Sequence, residues 1–177
     1  MFYAQCFLLI KNSILKRSGI KYFCYLLFIL TNISCSDKEI GIDQVEISFE
    51  KNKMIFIKND KPFNGIIIEH YDDNKIKLKM KMKNGLKNGE IIQYFENGYI
   101  QTKSNFKMGE IDGLFKSFYP NGSLQLITYY QNDKKSGSFE EFFINGALKS
   151  CSNYFLGIKI GKSYAFFKSG GVAIYDN

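Results

Sequence analysis

The sequence predicts an all-β chain, an elongated single-layer antiparallel meander of about five 24-residue β-hairpin repeats. Three observations carry that expectation. Glycines stand at positions 65, 89, 113, 137 and 161, each 24 residues after the last. Asn-Gly dipeptides stand at 97–98, 121–122 and 145–146, and this pair tolerates the positive φ of a tight hairpin turn. From Lys75 to Lys83 every second residue is lysine, and Ile76, Leu78, Met80 and Met82 fill the gaps. That is the two-residue period of a strand with one wet face and one buried face.

The remaining columns repeat with the glycine. Six residues after it come Tyr71, Phe95, Tyr119, Phe143 and Phe167, each preceded by His70, Tyr94, Phe118, Phe142 or Phe166. Eleven residues after it come Ile76, Ile100, Leu124, Leu148 and Val172, and seventeen after it Met82, Phe106, Tyr130 and Tyr154. Each repeat therefore reads as one hairpin, its Asn-Gly pair expected to form a type I′ turn with both residues at positive φ. The chain returns through Gly85, Gly109, Asp133 and Gly157. Ahead of the repeats, Val45–Phe49 and Met54–Ile57 read as two short strands, the amino-terminal cap that such an array needs. Residues 36–44 read as a polar tether, so residues 35–60 form tether and cap and residues 61–177 the array.

Residues 1–34 read as a signal peptide of lipoprotein type. Lys11, Lys16, Arg17 and Lys21 precede the apolar run Tyr22 to Leu30, the order of a secretory signal. As a helix, Tyr22 to Ile33 would reach only about 18 Å against a hydrocarbon core of about 30 Å. The stretch Ile33-Ser34-Cys35 resembles the lipobox of bacterial lipoproteins, with Asn32 where a strict box has an aliphatic residue. Cys35 is the expected lipidation site, and a plain cleaved signal is the alternative. With Cys6 and Cys24 removed and Cys35 acylated, Cys151 remains alone, and no disulfide can form within the mature chain.

The formal charge of +7 on 177 residues is concentrated in that leader, which holds four basic residues and no acid. Residues 35–177 carry 20 lysines against 17 acids, which removes the electrostatic argument for nucleic acid. The sequence has one histidine and lacks Cys-x-x-Cys, His-x-x-x-His, a P-loop and Gly-x-Ser-x-Gly, so neither an enzyme, a cofactor nor a metal is expected.

The pattern of glycine, aromatic pair, Asn-Gly, aliphatic, aromatic and glycine, entered through Lys61-Pro62-Phe63-Asn64-Gly65, resembles the MORN-variant repeat of bacterial proteins, many of them exported. The resemblance covers about residues 61–177. Ser163 and Gly170-Gly171 depart from it, which suits a capping last repeat. It implies a repeated scaffold, which is defined by its packing columns and not by a function. Its second implication is an antitoxin-like role, neutralising a cognate toxin that would itself be exported.

Single residues offer little chemistry. His70 occupies an aromatic column, Asp72 and Asp73 sit at a predicted turn, and Cys151 has no histidine near it in sequence. The lysine ladder Lys75 to Lys83 reads either as a solvated strand face or as a surface for anionic lipid head groups. The stripe Tyr94, Phe118, Phe142 and Phe166 is the candidate partner-binding surface, and its alternative is packing on itself and on the strand flanks. The functional expectation is a non-enzymatic lipoprotein of the cell envelope, in the inner or outer membrane, that binds a protein or surface polymer through its repeat sheet.

Overall fold

The structure, a computed structural model, describes residues 37–168 and 171–175. The expected signal peptide, Cys35 and the expected turn at Ser169-Gly170 lie outside the described residues. The strands in chain order are β1 (Glu39–Gly41), β2 (Glu46–Glu50), β3 (Lys53–Lys58), β4 (Lys61–Pro62), β5 (Gly65–His70), β6 (Ile76–Lys83) and β7 (Leu86–Tyr94). They continue with β8 (Ile100–Lys107), β9 (Glu110–Phe118), β10 (Leu124–Gln131), β11 (Lys134–Phe142), β12 (Leu148–Phe155), β13 (Ile158–Phe166) and β14 (Val172–Tyr175). From β5 to β14 they form the expected antiparallel meander in strict chain order, with β1 added at one edge. A second sheet of β2, β3 and β4 stands beside it.

The two ends of each hairpin use different turns, and the expectation for the Asn-Gly pairs is corrected here. Gly98, Gly122 and Gly146 have φ of 86, 83 and 84°, but Asn97, Asn121 and Asn145 are not at positive φ. The loop holds three residues. Gly98 N–H donates to the Phe95 carbonyl at 2.9 Å and Phe95 N–H to the Tyr99 carbonyl at 2.8 Å. Asn97 Oδ1 accepts the Tyr99 N–H at 3.1 Å, a local bond that holds asparagine outside the left-handed region and leaves only the glycine in it. Paired positive φ, which type I′ requires, occurs instead at the two-residue return turns. These are Asn84-Gly85 (51 and 72°), Met108-Gly109 (50 and 92°), Asn132-Asp133 (48 and 62°) and Leu156-Gly157 (48 and 90°).

The period glycine marks a break in register. Met80 pairs with Ile91 and Met82 with Lys87, so Asn88, Gly89 and Glu90 bulge opposite Lys81. Gly89 has φ of 107°, and a Cβ there would lie 3.1 Å from the Lys81 side chain. On its other side Gly89 faces Phe106, as Gly113 faces Tyr130 and Gly137 faces Tyr154. Each bulge turns the next return turn onto the preceding repeat. Gly85, Gly109, Asp133 and Gly157 donate their N–H groups to the carbonyls of Phe63, Lys87, Ile111 and Lys135, at 2.7–2.9 Å. The residue before the period glycine supports the same turn, since Asn64, Asn88 and Asp112 accept the N–H groups of Asn84, Met108 and Asn132.

The buried apolar residues among those described are Ile40, Phe56, Phe63, Ile67, Met80, Met82 and Ile91, all before the third repeat. The small sheet closes this core from above, with Phe56 N–H bonded to the Gly85 carbonyl at 2.8 Å. Further along, the buried residues are Ser104, Thr128, Ser152 and Ser163, and the sheet is a single layer.

The stretch expected as a tether is built into this end. Ile66 N–H donates to the Lys38 carbonyl at 2.8 Å, β1 pairs in parallel with β5, and Ile40 is buried. A polar stretch adheres because the β5 edge offers backbone partners and the core accepts one isoleucine.

Candidate interaction surface

The four candidate residues fall at equivalent places. Tyr94, Phe118, Phe142 and Phe166 end β7, β9, β11 and β13, each half-buried and paired with Ile100, Leu124, Leu148 or Val172 across the hairpin. With strands ~4.8 Å apart, successive members stand roughly 10 Å from one another. The next column staples repeats together, since the Tyr71 hydroxyl donates to the Tyr94 carbonyl at 2.6 Å and the Tyr119 hydroxyl to the Phe142 carbonyl at 2.9 Å. Phe167 closes that column largely exposed, at 58 %.

A second aromatic row runs nearer the return turns. Phe115 meets Tyr130 edge-on at 6.0 Å, and Phe139 meets Tyr154 at 5.9 Å. Lys135 Nζ lies 4.5 Å from the Phe139 ring and 5.1 Å from the Tyr154 ring, and Lys87 Nζ lies 5.2 Å from Phe106. Buried Ser104 and Thr128 sit between the large residues along the row. Thr128 is satisfied by donating to the Ser138 carbonyl at 3.0 Å. Burial pushes the Tyr130 hydroxyl above the ordinary tyrosine range, with a smaller contribution from Tyr154. Tyr130 and Tyr154 come from the plus-seventeen column and Phe115 and Phe139 stand two residues after the period glycine, but only the register shows that they touch.

The lysine ladder is not a line of free cations. Lys75, Lys77, Lys79 and Lys81 pair with Asp73, Glu69, Glu39 and Asp37 at 2.6–2.8 Å. Two of those carboxylates come from the segment around β1. The hydrogen bond from Lys77 to Glu69 holds its ammonium above the ordinary lysine range, and the one from Lys75 holds Asp73 below the carboxylate range. Lys149 is raised in the same way by Glu141.

His70 is exposed and lines an open hollow of about 390 Å³ with Tyr71, Asp72, Asp73, Lys77 and Glu96. Asp73 also accepts the Lys75 backbone N–H at 3.2 Å, as turn chemistry predicts. Cys151 is half-buried, between Glu140 and Tyr164 on the neighbouring strands. Among the described residues no group of three or more His, Cys, Asp or Glu could hold a metal ion.

Comparison with known proteins follows the repeat. The family model described as "MORN repeat variant" matches residues 87–108 and 111–132, two windows offset by the 24-residue period. No curated protein matches the chain. Among solved structures, the crystal structure of a GtfA/B complex bound to UDP and GlcNAc is similar at 9% identity and a TM-score of 0.27. The similarity covers 80% of this chain and 27% of that one, so the chain spans about a quarter of its length. Two matched repeats, in phase with three further glycine-marked copies of the same period, support a MORN-repeat protein.

Proposed function

We propose that this chain is a non-enzymatic protein of the cell envelope, exported by residues 1–34 and held at a membrane by lipid on Cys35, whose repeat sheet binds another protein or a surface polymer. The observation that carries the reading is the aromatic stripe. Tyr94, Phe118, Phe142 and Phe166 recur in one register along a sheet whose apolar core stops at Ile91. Aromatics in such a setting supply contact area at little conformational cost, and a few of them dominate an interface. The leader and Cys35 support the membrane address through their sequence alone, and metabolic labelling with a fatty acid that is lost in Cys35→Ala tests that part.

The binding part is tested by capture from envelope extract with the chain as bait. Phe118→Ser and Phe142→Ser, each checked for an intact sheet by circular dichroism, should each weaken retention by about 2 kcal/mol or more if they are hot spots. Retention equal to wild type in both folded variants would remove the stripe from consideration.

A further inference from the structure

Of the strand edges left unpaired among the described residues, two have complementary sequences. The first is β2, which pairs only with β3. It reads Glu46-Ile47-Ser48-Phe49-Glu50, with Ile47 and Phe49 exposed at 51 and 70 %. The second is the beginning of β13, because β14 pairs only with Ser163 to Phe166. That free half reads Ile158-Lys159-Ile160-Gly161-Lys162, with Ile158 and Ile160 exposed at 69 and 45 %. Along inner repeats the equivalent backbone receives the next return turn, as the Ile111 carbonyl receives Asp133. The side chain that supports such a turn is Asn64, Asn88 or Asp112, and in the last repeat its position holds Ile160. The last repeat lacks that side-chain support, as does the fourth at Ser136, where the Lys135 carbonyl still receives Gly157.

We propose that β2 of one copy of this chain adds as a strand to the free half of β13 of another. Antiparallel pairing places Ile47 opposite Ile160 and Phe49 opposite Ile158 on one face. On the other face Lys159 lies opposite Ser48, with Glu46 and Glu50 diagonal to it and within reach of a long side chain. A slip of one residue in either direction would set Ile47 or Phe49 opposite Lys159 and Glu46 or Glu50 opposite an isoleucine, which favours the stated register. Glu46, Glu50, Lys159 and Lys162 have no ion-pair partner among the described residues, and the opposite charges favour unlike ends over like ends. Within one chain the two edges do not meet, since the small sheet reaches along the array, through Lys53, to Glu110 at the start of β9, and four strand spacings, about 19 Å, separate β9 from β13. The contact is head to tail, and it propagates from copy to copy.

Disulfide trapping tests this with full-length chains in a Cys151→Ser background. Phe49→Cys and Ile158→Cys, co-expressed and treated with a mild oxidant, should give a dimer on a non-reducing gel, while neither alone gives one. A chain carrying both should give a ladder of multimers. Phe49→Cys with Lys159→Cys, one residue out of register, should trap less. As a second measurement, Lys159→Glu with Lys162→Glu should abolish trapping, and Glu46→Lys with Glu50→Lys on the other chain should restore it. No dimer, a dimer from either single cysteine alone, equal trapping out of register, or no response to the charge reversals would each overturn the proposal.

Discussion

At the residue scale, Gly146 isolates the backbone contribution to a hairpin head, because a Cβ there would meet nothing within 4 Å although its φ is 84°. Gly146→Val should lose about 1–3 kcal/mol of stability in thermal or denaturant melts, whereas Ala147→Val, at the exposed next residue of the same turn, should be nearly neutral. The Asn-Gly pair announced the hairpin but not the turn, because two- and three-residue loops use the same dipeptide and only strand register separates them. Met108 and Leu156, at positive φ in the return turns, carried no signal at all. Tyr130 supplies a pH test. Its folded pKa lies above the unfolded one, so its stabilising contribution is complete at neutral pH and disappears as pH rises through the folded value. Melting temperatures should fall in the alkaline range above the ordinary tyrosine pKa, and Tyr130→Phe should reduce that fall.

At the element scale, β1 is held by one buried isoleucine and two surface ion pairs, and the magnitudes rank them. Ile40→Ala should cost about 2–4 kcal/mol, whereas neutralising Asp37 and Glu39 together should cost about 1–2 kcal/mol at most, because exposed pairs are screened by water and salt. Hydrogen exchange at the Ile66 amide, bonded to the Lys38 carbonyl, reports release of β1 directly. Equal effects from the two changes would mean that charge, not the core, docks this strand. The sequence concealed β1 because a three-residue parallel strand is too short to show a period, and its polar neighbours read as linker. By contrast β6 was legible in full, since eight residues of strict alternation exceed any turn signal, although the carboxylates that neutralise its lysines come from as far away as Asp37.

At the scale of the whole array, support is one-sided. The apolar core ends at Ile91, and the last hairpin exposes Phe155, Ile158, Phe167, Val172 and Ile174. Amide protection should therefore be greatest in β5 to β7 and decline toward β14, in a gradient readable by hydrogen exchange; uniform protection would mean that the repeats act as one cooperative block. The period in the sequence disclosed the meander but not the second layer, because β2 to β4 lie outside the repeat, and it named the aromatic columns without showing which rings meet. The ladder from each return turn to the preceding carbonyl carries a last consequence. Every repeat offers the next one the same backbone acceptor that it used itself, so the length of the array is quantised. Gene duplication in units of 24 codons can lengthen or shorten the molecule without redesigning a joint, whereas an insertion of any other size must place one turn out of step with the acceptor waiting for it.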